Sequence, residues 1–378
     1  MQCEKKLECL TTNYRNMCLY IGRKKPLVAK KDIVVYKYVR KQRGHYITAC
    51  QNYPIQTNKV LTASHNGEDI VDNNYGKYSI KGGAIHACTS SYDIVFNLSG
   101  TVCLKAYIKE GTEFWIQNDF GQVAARSLYI TDEVVTDKQD TNIIELCKIL
   151  MEDAPTNKYG VRIGDVLLSD KTYVSPLSDF DKTKVIGYVA CFNPKDDSPI
   201  HISLKNEYLP FLSNTFYDNS CHFDIDNHIS EDFDGYKHTY NIANAKDYKS
   251  ELFKVIDYCI NYKSEGTNKG DWHLGSTGEM IAIAKNLIFI NSAIKLVGIG
   301  EIMSLYWYWT SSHFGDGQFF GSWCVYLSNS SSYDYYNLGS KGQVRPLLAF
   351  NKQSEHSSYI KRQYNKLLKS ITNVRNKG

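Results

Sequence analysis

Side chains that could bind a metal ion are densest between residues 222 and 234. This stretch holds two histidines and five carboxylates: His222, Asp224, Asp226, His228, Glu231, Asp232 and Asp234. Carboxylate oxygens are the ligands that Ca²⁺ prefers, but an EF-hand loop ends in a glutamate, and here Gly235 follows Asp234. The sequence therefore predicts a solvated polar loop and no cofactor. Calcium is the one alternative, with these weak candidate ligands: Asp224, Asp226, Asp232 and Asp234.

Signatures of common enzyme sites are missing from the sequence. It contains no Gly-rich phosphate loop, no His-Glu-x-x-His zinc motif and no Gly-x-Ser-x-Gly nucleophile elbow. The 11 cysteines are scattered without Cys-x-x-Cys spacing, which indicates reduced thiols. Cys324 lies in the strand-like stretch from Trp323 to Tyr326, where a small buried side chain is the expected role. We predict no catalytic residue and expect a protein that is not an enzyme.

The segment from Tyr306 to Phe350 is rich in aromatic residues and contains hardly a charge before Lys341. Strand-like pieces alternate there with stretches of Tyr, Ser, Asn, Asp, Gly and Phe. Tyrosine offers rigid amphipathic contact area, and Ser, Asn and Gly adapt their hydrogen bonds, so this composition is typical of a binding surface. The alternative is a tyrosine-rich β core, in which we expect Trp307, Trp309, Trp323 and Val325 to take part.

Several motifs resemble the C-type-lectin fold. They are Trp272-His-Leu-Gly-Ser-Thr-Gly-Glu279, Tyr308-Trp-Thr-Ser-Ser312, Trp323, and Val344-Arg-Pro346 with the run to Phe350. Within that fold they resemble formylglycine-generating-enzyme-like domains, and among these the variable proteins of diversity-generating retroelements. The stretches Ile163–Asp170 and Val185–Val189 look like the opening strands of the same domain. The resemblance covers residues 159–350.

This resemblance implies that an error-prone reverse transcriptase mutates adenines at the 3′ end of the gene. Randomising the first two bases of AAC or AAT codons never yields Trp, Lys, Glu, Gln or Met. By that filter Trp307, Trp309, Gln318, Trp323, Lys341 and Gln343 are fixed. The residues that we assign to the scaffold are Trp272, Glu279, Trp309, Trp323, Arg345 and Pro346. The implied variable, ligand-binding residues are His313, Phe314, Asp316, Phe319, Phe320, Ser322, Tyr326, Asn329, Ser331, Tyr333, Tyr335 and Tyr336.

One departure from the family pattern concerns the enzymatic branch. Formylglycine-generating enzymes use a pair of reactive cysteines late in the domain. Here only Cys324 lies beyond Cys259, so the resemblance favours the non-enzymatic, variable branch.

The candidate binding residues need a fold to position them, and the sequence pattern of strands and helices predicts an α+β chain. With 43% hydrophobic residues and 8 prolines, its 378 residues are expected to fold into more than one domain. β-Branched and alternating runs at Asp32–Val39 and Val102–Ile108 predict strands, and an apolar stripe predicts a helix at Ala243–Tyr262. A capping box, Ser276-Thr-Gly-Glu279, predicts the start of a second helix at Met280–Lys295. We predict four regions: a small antiparallel β domain at 1–140 for attachment or assembly, a helical connector at 141–158, a C-type-lectin-like domain with two helices and short strands at 159–350, and a basic tail at 351–378.

The expected function is non-enzymatic receptor recognition by a phage tail-associated adhesin. The expected partners are a host cell-surface protein or glycan and other virion or tail subunits, with self-association into a homo-oligomer left open. A net charge of +4 is too mild to indicate nucleic acid. Residues 1–28 lack a signal-peptide pattern and no run of about 18 apolar residues occurs, so we expect folding in a cytoplasm, no membrane insertion, and association with a virion. The alternatives are an oxidase on the formylglycine-generating fold and an intracellular bacterial protein-recruitment module.

Overall fold

A computed structural model shows an α+β chain whose sheets are mostly antiparallel, with four α-helices among the residues described. The structure describes residues 19–21, 26–48, 54–63, 70–72, 78–80, 84–91, 101–117, 120–212, 229–245, 248–315, 320–327, 332–336 and 339–350. The chain divides into two compact units between Leu150 and Met151.

The N-terminal unit is built from strands. Three of them form a small sheet in the order β1-β8-β7, and eight form the path β2-β11-β12-β9-β3-β10-β13-β6, with β4 paired to β3 and β5 paired to β4. The bounds are β1 Leu19–Ile21, β2 Leu27–Val28, β3 Ile33–Gln42, β4 His45–Thr48, β5 Pro54–Ile55, β6 Lys59–Thr62, β7 Ile70–Asp72, β8 Tyr78–Ile80, β9 Ile85–Cys88, β10 Thr101–Ile108, β11 Glu113–Ile116, β12 Gln122–Ala125 and β13 Ser127–Val134.

The side chains of β3 and β10, the two longest paired strands of this sheet, explain why these segments form strands. β3 and β10 run antiparallel from the pair Ile33–Ile108 to the pair Arg40–Thr101. β-Branched residues suit a pleated, half-buried surface, and Val35 and Val39 are fully buried on β3. The strands predicted at Asp32–Val39 and Val102–Ile108 are therefore confirmed.

The helix α1, Ile143–Glu152, follows the sheet. Its residues Leu146, Cys147, Leu150 and Met151 are buried, at the three- and four-residue spacing of one helix face. The chain boundary between Leu150 and Met151 falls inside this helix.

Among its described residues the C-terminal unit has two sheets and three α-helices that lie wholly within it. One sheet has the order β15-β14-β16-β17-β24-β19 and the other the order β18-β23-β20-β21-β22. The bounds are β14 Val166–Leu168, β15 Tyr173–Val174, β16 Val185–Phe192, β17 Pro199–Ile202, β18 Glu207–Pro210, α2 Gly235–Ala243, α3 Lys254–Asn261, β19 Trp272–Leu274, α4 Thr277–Val297, β20 Trp307–Gly315, β21 Phe320–Tyr326, β22 Ser332–Tyr336, β23 Lys341–Val344 and β24 Pro346–Ala349.

The helix α4 is the central helix of this unit, and its ends follow from the sequence. The Ser276 hydroxyl accepts a hydrogen bond from the Glu279 amide, and the Glu279 carboxylate accepts one from the Ser276 amide, which forms a capping box. Gly298 ends the helix in the left-handed conformation, with φ of 75°. With 21 residues and a mean hydropathy of 1.6, α4 is long and apolar enough to cross a membrane by those criteria alone, and 72% of that apolar stretch is buried within the protein.

The helix predicted at Ala243–Tyr262 is wrong. The structure has two helices there, α2 ending at Ala243 and α3 beginning at Lys254. Asn244 caps the end of α2, and the ring of Tyr248 stacks on Phe253, the residue that precedes α3, at 5.5 Å between centroids. The apolar stripe that suggested one helix belongs to α3 alone, where Val255, Ile256 and Cys259 are buried.

Candidate ligand-binding site

Three neighbouring strands, β20, β21 and β22, contain eight of the twelve predicted ligand-binding residues. His313 on β20 pairs with Ser322 on β21, which pairs with Tyr336 on β22. Neighbouring strands lie about 5 Å apart, so these three strands, which follow one another in the chain, form one narrow strip of sheet. The pairing of β20 with β21 has a register irregularity between Trp309 and His313.

The structure positions these residues to different extents. Backbone positions on the three strands are given for His313, Phe314, Phe320, Tyr333, Tyr335 and Tyr336. Asp316, Phe319, Asn329 and Ser331 lie outside the described residues. Ser322 and Tyr326 are described with their side chains, and Tyr326 is partly buried.

Ser322 does not belong to an exposed surface. Its side chain is fully buried, and its hydroxyl donates a hydrogen bond to the Thr310 carbonyl at 2.6 Å. A buried hydroxyl that is satisfied by its own sheet cannot contact a ligand. The expectation that Ser322 forms part of a ligand-binding face is therefore corrected, because the codon permits serine to vary but its small side chain fits inside the sheet.

Trp309, predicted as scaffold, anchors the sheet from β20. Its ring is 1% exposed and meets Phe211 edge-on, with 5.4 Å between centroids. The indole Nε1 donates to the Leu209 carbonyl on β18 at 3.0 Å. Trp307 packs edge-on against Trp309 at 5.0 Å, and a side chain at Gly342 would overlap the Trp307 ring. The two tryptophans thus tie β18, β23 and β20 together.

The other predicted scaffold residues also lie in packed or paired positions. Trp272 is fully buried and its Nε1 donates to the Thr267 hydroxyl at 3.1 Å. Pro346 pairs with Leu274 between β24 and β19. Trp323 is partly buried and lies opposite Tyr335. Arg345 is 1% exposed.

A network of buried hydrogen bonds joins the start of α4 to β20, directly before His313. Ser312 is its centre: the hydroxyl donates to Asp232 Oδ2 at 2.5 Å and accepts a hydrogen bond from the Thr277 amide at 2.9 Å. The Ser276 hydroxyl donates to the Asp232 carbonyl at 2.6 Å, and the Ser311 amide donates to the Gly275 carbonyl at 2.8 Å. Hydrogen bonds have preferred directions, so this network fixes the position of the β20 backbone.

Sequence reasoning missed this network. Thr310, Ser311 and Ser312 drew attention only as part of a motif, and Asp232 only as a candidate metal ligand. The signal was the cluster of small hydroxyl residues inside an otherwise aromatic strand, since such residues are mostly exposed unless they are paired.

Asp232 is a structural carboxylate. Its Oδ1 accepts a hydrogen bond from the Asp234 amide at 3.0 Å, while Oδ2 is bonded to Ser312 and lies 3.4 Å from Nδ1 of His238. Burial raises the pKa of the Asp232 carboxyl, and the hydrogen bond from Ser312 opposes that rise. Both oxygens are engaged by the protein, so Asp232 is a poor ligand for a cation.

The remaining metal candidates are divided between surface and undescribed residues. Asp234 is half exposed and its Oδ1 lies 3.5 Å from Lys195 Nζ. Asp224 and Asp226 lie outside the described residues. Across the part of the chain that the structure describes, no three His, Cys, Asp or Glu side chains are placed so that they could hold a metal ion.

The described cysteines Cys88, Cys103, Cys147, Cys191, Cys259 and Cys324 are all buried. Burial raises the pKa of Cys103 to about 11, and it also raises the pKa values of Cys191 and Cys259. A thiol with a raised pKa stays protonated at neutral pH and is a weak nucleophile. Cys103, Cys191 and Cys259 therefore lend no support to the oxidase alternative.

The comparisons with known proteins add no relative. No protein family, curated protein or solved structure matches this chain. What can be said of function rests on the residues and the geometry described above.

Proposed function

We propose that this chain is a non-enzymatic receptor-recognition protein whose C-terminal unit is a C-type-lectin-like domain with a retroelement-diversified binding face. The observation that carries the proposal is the convergence of the candidate positions on one strip of sheet. His313 and Tyr336 lie on the outer two of three consecutive antiparallel strands, β20, β21 and β22, and both pair with Ser322 on the middle strand.

Residues outside the candidate set stabilise β20, and this favours a strip whose candidate positions tolerate variation. The residues that the codon filter holds fixed include Trp309, which is buried and hydrogen-bonded. The network around Ser312 holds β20 through side chains that are themselves buried. Because these fixed residues supply packing and hydrogen bonds to β20, substitutions at those candidate positions that face solvent are expected to change stability little.

The setting we propose is a phage tail. The C-terminal domain would bind a host cell-surface protein or glycan, and the N-terminal β unit would attach the chain to other virion or tail subunits. A single tyrosine-rich face binds modestly, so display of many copies raises the overall affinity through effective concentration. A homo-oligomer would supply those copies.

Deep sequencing of the 3′ end of the gene from a growing population tests diversification. We expect substitutions at the first two bases of the codons for Tyr333, Tyr335 and Tyr336, and none at Trp309 or Trp323. A uniform 3′ end would remove the retroelement from the proposal. Substitutions spread evenly over all codon positions would contradict it equally.

Binding of the purified full chain to whole host cells tests recognition. The triple variant Phe319→Ala, Tyr333→Ala, Tyr335→Ala is expected to lose binding at least tenfold, as hot-spot aromatic residues do. The matched control is Tyr208→Ala, which removes an exposed tyrosine (55%) from β18 of the same sheet. Equal binding by the triple variant and the wild type would show that this strip is not the recognition face. Binding only to purified intracellular proteins would favour the recruitment-module alternative.

A further inference from the structure

Arg345 is a buried positive charge at the junction of β23 and β24. Its side chain is 1% exposed, and its one hydrogen bond runs from Nη2 to the Glu301 carbonyl at 3.0 Å. Nε and Nη1 are buried and have no hydrogen-bond partner among the described residues. Three of the five N–H groups of a guanidinium belong to these two nitrogens.

The charge of Arg345 has no counter-charge in contact with it. Within the described residues no carboxylate lies within 4.0 Å of the guanidinium. The carboxylate of Glu301 acts on its charge from a greater distance and uses Oε2 to accept a hydrogen bond from the Asn206 amide at 2.9 Å. An arginine side chain does not lose its proton in a protein, unlike a buried lysine. A buried charge therefore needs a partner that brings negative charge.

The surroundings of Arg345 are phenolic. Tyr188, Tyr258, Tyr262 and Tyr308 lie close enough to interact with its charge. Their hydroxyls bring no negative charge at neutral pH, since burial raises the pKa of each phenol above its usual value. Two hydroxyls are already engaged: that of Tyr188 donates to the Ile299 carbonyl at 2.5 Å, and that of Tyr308 accepts from the Ser304 amide at 3.1 Å.

We propose that Nε and Nη1 of Arg345 bind a small monovalent inorganic anion of the halide class, with chloride as the ion present in cells. The enclosure favours a small ion, because Arg345 and Tyr308 are both at most 1% exposed. Water could accept a hydrogen bond from either nitrogen, but it would leave the guanidinium without a counter-charge in direct contact. A bound halide would join β23 and β24 to the loop Ile299–Ser304 and so act as a fixed part of the fold.

A halide titration of the full-length protein tests this site. Thermal unfolding is followed at constant ionic strength while chloride replaces gluconate. An ion that binds only the folded state raises the melting temperature, and we expect a rise of about 2–4 °C across the titration. Arg345→Met should abolish the rise. The control Arg126→Met, a partly exposed arginine beside Trp115 in the other unit, should retain it.

Crystals of the wild-type chain grown in bromide locate the ion and decide the matter if Arg345→Met does not fold. The proposal predicts an anomalous peak within hydrogen-bonding distance of both Nε and Nη1. Two ordered waters at these nitrogens and no bromide peak would overturn it. So would equal melting temperatures in chloride and gluconate.

Discussion

The two units of the chain differ in what they bury. In the N-terminal unit the described core is almost entirely apolar, and its fully or nearly buried polar side chains are Thr89 and Thr141. In the C-terminal unit the buried polar and charged side chains are many: Asn157, Asp165, His201, Ser203, Asp232, Thr239, His273, Ser276, Thr277, Glu279, Asn291, Ser292, Thr310, Ser311, Ser312, Ser322 and Arg345.

The difference matters because apolar burial stabilises a fold, whereas buried hydrogen bonds also fix the positions of its elements. Apolar burial is favourable but has no direction, which suffices for the large sheet of the N-terminal unit. Buried hydrogen bonds are directional and are costly to break once desolvated. In the C-terminal unit they converge on β20, the strand that leads into the candidate binding positions. The comparison indicates that the C-terminal unit uses buried polar groups to hold the backbone of the proposed site in place.

The largest expected effects come from a feature that both units share, buried tryptophan. Trp115→Ala and Trp309→Ala should each lower the free energy of unfolding by about 3–5 kcal/mol, since both rings are 1% exposed. Tyr306→Ala, at an aromatic residue that is 69% exposed, should change it by less than about 0.5 kcal/mol. Urea denaturation with hydrogen exchange would place each loss in its own unit. A loss below about 1 kcal/mol for Trp309→Ala would contradict its role as an anchor.

His86 predicts that the N-terminal unit loses stability in acid. Burial lowers the pKa of this imidazole to about 4 from 6.5, and the charge of Lys37 adds to the effect. The unfolded chain therefore binds a proton that the folded chain does not, and stability falls as pH falls from 6.5 towards 4. The loss is at most about 3 kcal/mol. Denaturation of wild type and His86→Gln across this range checks it: the variant should lack that part of the slope.

Asp165 predicts the opposite response in the C-terminal unit. Burial raises the pKa of its carboxyl from 3.8 to about 6. The folded chain then binds a proton that the unfolded chain does not, so stability rises as pH falls from about 6 towards 3.8. Asp165→Asn keeps an oxygen for the Arg162 amide, which donates at 2.8 Å, and should stabilise the chain at neutral pH by up to about 3 kcal/mol. If this variant is as stable as wild type at neutral pH and shows the same acid slope, the assignment is wrong.

Two adjacent serines test the polar network with a matched pair. Ser312→Ala leaves Asp232 Oδ2 and the Thr277 amide without their partner, and should cost about 2 kcal/mol. Ser311 is equally buried, but its hydroxyl has no hydrogen-bond partner among the described residues. Removing that hydroxyl in Ser311→Ala should be neutral or slightly stabilising. Equal losses for the two variants would mean that packing, and not hydrogen bonding, holds β20.

The fold could be predicted where local signals decide it. Alternation of β-branched residues predicted β3 and β10, and the capping box at Ser276 and Glu279 predicted the start of α4. The break between α2 and α3 could not be predicted, because it depends on Tyr248 stacking on Phe253 and on apolar residues brought in by other elements. The spacing of apolar residues along the sequence gives no information on such tertiary contacts.

The site was predictable only at the level of segments. Aromatic and codon patterns indicated which strands matter, and the pairing of β20, β21 and β22 brings them together. The codon filter describes the gene, however, and says nothing about burial, which is why it included Ser322. Nor could spacing show that Asp232 bonds Ser312, since their contact joins residues 80 positions apart.

The smallest effect is expected at Asp234. Asp232 and Asp234 were both candidate metal ligands, but their surroundings differ. Asp232 is buried within the network, whereas Asp234 forms a half-exposed ion pair with Lys195. Asp234→Asn should change the free energy of unfolding by less than about 0.5 kcal/mol, because exposed ion pairs contribute little. We expect the same melting temperature with EDTA as with added Ca²⁺, for wild type and variant alike. If Ca²⁺ raised the melting temperature of the wild type and Asp234→Asn abolished that rise, Asp234 would be a metal ligand after all. The C-terminal unit would then have a metal site next to the hydrogen-bond network around Ser312.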